Sequence, residues 1–155
     1  MPTLLLDTTF LIDVLNDRRG RADLMERMIL EQHTLACCAI NVAEVYVGLR
    51  APEAAKTEAL LRQLAYVPIR WEAAKLAGDL KREWARKGHT LTLTDTTVAA
   101  VCLTEGITLV TDNRRHFPMP ELALYSLPAA CAITPPVKLY LDITFLRYLV
   151  ASLYL

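Results

Sequence analysis

Short apolar runs that alternate with longer amphipathic segments constrain the fold of this chain more than any other feature. In the longer segments apolar residues recur at three- or four-residue spacing, which is typical of helices. Strands that are covered by helices on both faces read as nearly continuous apolar runs. The alternation therefore predicts the α/β class with a mainly parallel central sheet. The predicted strands lie at residues 4–6, 34–39, 66–69, 107–111 and 122–127.

The predicted helices begin near capping residues and are separated by glycines. Thr8 or Thr9 caps the first helix, which Gly20 ends, and Thr94 caps the helix before the fourth strand. The Asn-x-x-Glu pattern that begins at Asn41 resembles a capping box. Besides the first helix, the predicted helical segments are residues 21–30, 41–49, 53–64, 71–87 and 95–105.

Length and charge narrow the class of protein. A chain of 155 residues ordinarily forms one domain, and a hydrophobic fraction of 54% predicts a well-filled core. The 17 basic and 17 acidic residues balance, so the molecule as a whole has no field that attracts nucleic acid. Any binding of nucleic acid must therefore rely on a local basic patch.

The cysteines and the first residues bear on the compartment. The four cysteines form no Cys-x-x-Cys pair and no Cys/His cluster of the kind that binds zinc. The N-terminal stretch lacks the basic, apolar and small-residue regions of a signal peptide. We therefore expect a reducing, cytoplasmic environment.

Residues 129–155 differ in composition from residues 1–128, which we predict to form one domain. The stretch 137–155 is apolar except for three charged side chains and is almost long enough to cross a bilayer. Asp142 and Arg147 would lie near the middle of such a span, where each charge costs roughly 2.5–3.5 kcal/mol. We therefore predict no membrane span and expect this extension to pack on the domain or on a second chain. A non-native extension is the open alternative.

Four acidic residues follow predicted strands or stand in the first turns of helices. In a right-handed parallel sheet such positions gather at one edge, where their carboxylates repel one another. A divalent cation would relieve this repulsion, and an all-oxygen ligand set suits Mg²⁺ or Mn²⁺. Taken singly, each acid is also explained as a helix-end charge or a turn residue. The four are Asp7, Glu44, Asp95 and Asp112.

Three stretches carry a resemblance to a known family: LLLDTTFLIDVL, NVAEVYVGL and LTLTDTTVAAVCLTEGITLVTDNRRHF. Over residues 3–127 they resemble the PIN domain family, and most closely the VapC-type toxins of bacterial toxin–antitoxin pairs. The resemblance implies a PIN-like three-layer α/β/α sandwich and a Mg²⁺- or Mn²⁺-dependent endoribonuclease. It also implies a homodimer, and a cognate antitoxin whose C-terminal segment blocks the site.

The resemblance assigns roles to the acids residue by residue. Asp7, Glu44 and Asp95 match the family's first three acids. Many relatives place the fourth acid where this chain has Asn113, one residue after Asp112. We assign the fourth carboxylate to Asp112 and keep Asn113 as a neighbour that could replace it. Asp7 and Asp95 would then hold the metal, while Glu44 and the fourth carboxylate orient bound water.

Hydroxyl and basic side chains beside these acids are further candidates. Thr8 and Thr111 could hydrogen-bond a carboxylate or a phosphate, although a helix cap and a strand end explain them at least as well. Arg114 and Arg115 are predicted contacts to the phosphates of an RNA substrate. The other basic runs, such as residues 18–21, are interpreted as solvated surface.

One alternative function remains open at the level of the sequence. A catalytically silent PIN-like module would bind RNA or an antitoxin without cutting, but the presence of all four acids favours the enzyme. Asp13 is interpreted as a solvated or paired surface acid. The apolar segments 25–30, 45–49 and 54–64 could form dimer or antitoxin surfaces, although core faces explain each of them better.

Overall fold

Four parallel strands form the central sheet of residues 1–127, the part of the chain that the computed structural model describes. The strands are β1 (Thr3–Leu6), β2 (Thr34–Cys38), β3 (Ala65–Val67) and β4 (Thr108–Val110). Their order is β3-β2-β1-β4, and every neighbouring pair is parallel. The predicted α/β class with a mainly parallel sheet is confirmed.

Six α-helices connect and cover these strands in the described residues. Of two short 3₁₀ turns, Ala51–Glu53 lies between the third and fourth helices, and Arg114–His116 follows β4. The helices are α1 (Thr8–Leu15), α2 (Arg21–Leu30), α3 (Ala39–Val47), α4 (Ala54–Leu61), α5 (Trp71–Arg86) and α6 (Leu93–Glu105).

Several predicted boundaries are wrong. The first helix ends at Leu15, and Gly20, with a φ of 62°, instead precedes α2. The helix before the fourth strand is capped by Thr92 rather than by Thr94, because the Thr92 hydroxyl accepts an N–H from the first turn. The predicted strand at 122–127 is reduced to a single bridge between Leu109 and Leu124. Leu109 makes this bridge with both of its backbone groups: its N–H donates to the carbonyl of Ala123 at 2.9 Å, and its carbonyl accepts the N–H of Tyr125 at 2.8 Å.

Alternation along the strands divides the core between the two faces of the sheet. Leu4 and Leu6 pack with α1 and α2 residues such as Phe10. Leu5 points to the opposite face and packs with α5 and α6 residues such as Val98. Helices therefore cover both faces, as the predicted three-layer α/β/α sandwich requires.

Helices α5 and α6 run antiparallel, which brings the start of α6 to the edge of the sheet where the predicted acids lie. Arg70, just before α5, lies 3.4 Å from Glu105 at the end of α6. Lys81, in the second half of α5, donates to the carbonyl of Leu91, just before α6, at 2.7 Å. Since α6 leads into β4, the first turn of α6 lies at the edge of the sheet where the parallel strands end.

The predicted extension at residues 129–155 lies outside the described residues. Among the described residues, no helix has the length and apolar character that a membrane span requires. The described cysteines, Cys37, Cys38 and Cys102, are free and buried. Burial raises the pKa of the Cys37 thiol to about 11, so this thiol is protonated at neutral pH.

Candidate active site

Asp7, which follows β1, is the most buried of the four predicted acids, with 8% of its surface exposed. Oδ1 accepts the N–H of Thr8 at 2.8 Å and so caps α1, and Oδ2 accepts the hydroxyl of Thr111 at 2.7 Å. Burial raises the pKa of the Asp7 carboxyl, and the carboxylates of Asp95 and Glu44 raise it further, against the effect of the two hydrogen bonds. Asp7 therefore caps α1, and its ionised form is energetically unfavourable in this environment.

Glu44 extends from α3 and meets Asp7 through Thr8. The Thr8 hydroxyl donates to Glu44 Oε2 at 2.5 Å and accepts from Asn41 Nδ2 at 3.2 Å. Asn41 is fully buried, and its Oδ1 accepts the N–H of Cys38 at 2.9 Å. Because Asn41 donates to the Thr8 oxygen, the Thr8 proton is left for Glu44. This chain of bonds fixes Glu44 relative to the ends of β1 and β2.

Asp95 lies in the first turn of α6, beside its cap. The Thr92 hydroxyl accepts the Asp95 N–H at 3.0 Å and donates to Asp95 Oδ2 at 2.6 Å. His116 Nδ1 lies 3.3 Å from the same oxygen, so these two side chains form an ion pair when the imidazole is protonated. The turn that carries His116 is thereby placed against the start of α6.

The turn after β4 divides its side chains between two partners. The Thr111 hydroxyl, which donates to Asp7, also accepts the N–H of Asn113 at 3.0 Å. Asp112 contacts α2 instead: its Oδ1 lies 2.5 Å from Arg21 Nη2, and its Oδ2 lies 3.2 Å from Arg21 Nε. Arg21 is only 3% exposed, so the interpretation of residues 18–21 as solvated surface is wrong for this residue.

The structure thus brings three of the four predicted acids together and pairs the fourth with a cation. Asp95 and Glu44 are close enough to Asp7 to raise its pKa. Within residues 1–127, no Lys or Arg lies within ion-pair distance of these three carboxylates. In the same residues, no three His, Cys, Asp or Glu side chains are arranged as a ready-made metal cluster. The three acids form an acidic site in which the Thr8 hydroxyl donates to Glu44 and the Thr92 hydroxyl donates to Asp95.

The predicted phosphate contacts lie beside this acidic site. Arg114 and Arg115 are exposed on the short turn that ends at His116. Arg115 Nε donates to Asn113 Oδ1 at 3.2 Å, and His116 contacts Asp95. Two cationic side chains therefore border the acids on the β4 side.

Two residues that hold the site together, Asn41 and Arg21, were not identified from the sequence. Asn41 resembled a helix cap, but as a third residue of α3 it bonds back to Cys38 and forward to Thr8. Arg21 stood in a basic run, and its partner is 91 residues away. A polar Asn within an apolar stretch was the one available signal.

Asp13 is buried and paired with Arg19 at 3.3 Å, so only the paired part of its interpretation is confirmed.

A cleft of about 400 Å³ opens between α1, α3 and α4. Its apolar lining includes Ile12, Leu15 and Leu49, and its basic lining includes Arg50 and Lys56. The segments 45–49 and 54–64, which were candidates for partner surfaces, each contribute residues to it.

Comparison with known proteins assigns this arrangement to a family. A sequence profile of the PIN domain matches residues 4–121. Ribonuclease VapC19 of Mycobacterium tuberculosis is 29% identical over 119 residues, which cover 76% of this chain and 95% of the relative. Ribonuclease VapC10 of the same organism is 32% identical over 87 residues, covering 56% of this chain and 65% of the relative.

Solved structures show the same fold. DNA-bound VapBC from Salmonella typhimurium superposes with a TM-score of 0.69 at 25% identity, over 81% of this chain and 98% of the other. VapBC2 from Rickettsia felis, bound to a promoter DNA fragment, gives a TM-score of 0.72 at 22% identity, over 81% and 99%. The resemblance found in the sequence is thereby confirmed, and the chain belongs to the PIN domain family.

Proposed function

We propose that the chain is a metal-dependent endoribonuclease, the toxin component of a toxin–antitoxin pair. The observation that carries the proposal is the convergence of Asp7, Glu44 and Asp95 at one sheet edge, without a Lys or Arg partner in the described residues. Natural proteins retain such unfavourable charge clusters mainly at functional sites. The curated relatives VapC19 and VapC10 are named ribonucleases, which supports the same reaction class.

The donor atoms of the site suit Mg²⁺ or Mn²⁺. All are carboxylate or hydroxyl oxygens, and the described cysteines are buried away as protonated thiols or small core residues. Asp7 and Asp95 would hold the ion, with Glu44 and a residue of the 111–113 turn orienting water.

The protein's own residues position the groups that the reaction requires. A bound divalent cation supplies an activated water and stabilises negative charge on the scissile phosphate. Thr111 holds the Asp7 carboxylate, and Thr8 holds Glu44. Arg114 and Arg115, which are exposed beside these acids, would bind phosphates of the RNA that flank the cleaved bond.

The proposed partners are an RNA substrate, a cognate antitoxin and a second copy of the chain, in the cytoplasm. The structural neighbours are VapBC toxin–antitoxin assemblies, which supports the antitoxin. We assign the cleft between α1, α3 and α4 to that partner, because its apolar lining is bordered by Arg50 and Lys56. This lining suits an apolar segment that carries acidic residues.

Cleavage of a mixed cellular RNA pool by antitoxin-free protein tests the proposal. Wild type is expected to cut with Mg²⁺ or Mn²⁺ and to stop on addition of EDTA, and Asp7→Asn is expected to be inactive. Asp79→Asn, which removes an exposed acid from α5, is the matched control and should cut like wild type. If wild type and Asp7→Asn cut equally, the activity is a contaminant. If none of the proteins cuts with either metal, the catalytically silent binding module replaces the enzyme.

A further inference from the structure

We propose that Arg21 is a positioning residue for this site, and that Asp112 acts through Arg21 rather than as a metal ligand. The inference rests on the proposed function, because it concerns the residues that complete the same metal site. It assigns the direct contribution of the β4 turn to Thr111 and Asn113. Asp112, the predicted fourth acid, instead forms an ion pair that joins the turn after β4 to α2.

Both oxygens of Asp112 are already engaged. Arg21 Nη2 lies 2.5 Å from Oδ1, and Nε lies 3.2 Å from Oδ2, which is the two-point geometry that makes Arg–carboxylate pairs strong and directional. Arg21 is 3% exposed, and its third nitrogen, Nη1, has no hydrogen-bond partner in the described residues. Within residues 1–127, Asp112 is thus the one carboxylate that pairs with this buried cation.

The alternation of β4 explains why Asp112 faces α2. Leu109 packs on the α5–α6 face of the sheet, and Val110 packs on the α1–α2 face. Continuing this pattern, Thr111 falls on the side of Asp7 and Asp112 falls on the side of Arg21. The N–H of Asn113 returns to Thr111 Oγ1, which keeps the turn folded against Asp7.

Charge opposes a move of Asp112 to a metal. A carboxylate that turned toward Asp7 would leave the Arg21 guanidinium buried without a counter-charge, which proteins tolerate poorly. If Asp112 instead bound an ion without moving, that ion would lie beside the guanidinium and be repelled by it. Arg21 therefore secures the turn, and the Thr111 hydroxyl stays bound to Asp7.

Direct Mn²⁺ binding by calorimetry tests this division of roles, at a temperature where circular dichroism shows every variant folded. Arg21→Met and Asp112→Asn break the same contact, so each should weaken Mn²⁺ binding by a similar factor, about tenfold. The double variant should bind no worse than either single variant, because residues that act as one unit are not additive. Arg27→Met, an exposed arginine on the same helix, should bind like wild type.

Two competing roles of the Arg21–Asp112 pair predict different changes in Mn²⁺ affinity. If Asp112 is a ligand, removing Arg21 frees it, so Arg21→Met binds Mn²⁺ as tightly as wild type or more tightly while Asp112→Asn loses affinity. If the pair only stabilises the fold, both variants melt about 10 °C lower and bind Mn²⁺ like wild type. Either result overturns the inference.

A second variant protects the test against misfolding. Arg21→Lys keeps the buried charge but loses the two-point contact, and it should show a smaller loss of Mn²⁺ affinity in the same direction. Unchanged affinity in Arg21→Lys together with loss in Asp112→Asn contradicts a positioning role. Wild type that binds no Mn²⁺ overturns the proposed metal site and this inference with it, whereas the other outcomes overturn the inference alone.

Discussion

The turns after β1 and β4 are neighbours in the sheet, and each carries an aspartate beside a threonine, but they treat the acid in opposite ways. The N–H of Asp7 donates to the carbonyl of Val110 at 3.0 Å, so the two turns are joined through the backbone. Asp7 is buried among acids and hydrogen-bond donors without a Lys or Arg partner in residues 1–127. Asp112 is paired at two points with Arg21.

This difference shows that two acids at neighbouring strand ends can have opposite electrostatic environments. The β1 turn retains negative charge near other negative charge, which costs stability and is typical of functional sites. The β4 turn uses its acid to neutralise a buried cation. The side of the strand on which the carboxylate falls decides which partner it meets.

The largest expected effect is on the rate of RNA cleavage when Asp95, the acid in the first turn of α6 that lies near Asp7, is replaced. Asp95→Asn should lower the rate of RNA cleavage by about 10²–10³-fold, because charge aimed at the reacting centre is worth that much when a single group is removed. The melting temperature should stay within about 2 °C of wild type, since the Thr92 cap of α6 remains. Steady-state cleavage and thermal melts of Asp95→Asn and Asp79→Asn measure both. Cleavage at the wild-type rate would remove Asp95 from the site.

Metal-dependent stabilisation separates the two turns more directly. Mn²⁺ at about 100 times its Kd should stabilise wild type by about 2.7 kcal/mol, or roughly 5–10 °C in a chain of this size. Asp7→Asn should show no such shift, and EDTA should reverse it in wild type. Thermal melts with and without Mn²⁺ provide the measurement. An equal shift in wild type and Asp7→Asn would place the bound ion elsewhere.

The sequence predicted the elements better than the partners. The strands β1, β2 and β4 were found because their apolar runs are continuous and end at polar residues. Residues 122–127 have a similar apolar content, but they pair with β4 through the single bridge of Leu109 and Leu124. Composition and periodicity carry no information on how far such a pairing extends.

In the site, too, the positions of the acids were predicted better than the contacts that they make. Asp7, Glu44 and Asp95 were predicted because strand ends and helix starts converge whenever a sheet is parallel. Arg21 was missed because its sequence neighbours are exposed, and its burial depends on a contact with a residue 91 positions away. Local patterns in sequence determine which edge a side chain reaches, and long-range pairing determines what it meets there.

A smaller effect is expected from the hydroxyl that links the two turns. Thr111→Val should lower the free energy of unfolding by about 1.5 kcal/mol, because Oδ2 of a buried carboxylate loses its donor. In an Asp7→Asn background the loss should be smaller, since the charged acceptor is gone. Urea denaturation of the four proteins in this cycle gives the coupling between the residues. Equal losses in both backgrounds would show that the bond to Asp7 contributes nothing.

The smallest effect is a pH dependence that belongs to the β1 turn alone. The pKa of Asp7 is raised from 3.8, chiefly by burial and further by Asp95 and Glu44, so the folded state binds its proton more tightly than the unfolded state does. The stability that protonated Asp7 contributes is complete below the unfolded pKa and is lost as the pH rises through the folded pKa. Asp7→Asn removes this loss, so its melting temperature should rise relative to wild type between about pH 4 and neutrality. Melts of both proteins across that interval measure the difference. A constant difference between Asp7→Asn and wild type would mean that Asp7 titrates alike in both states, and the contrast between the two turns would then rest on Arg21 alone.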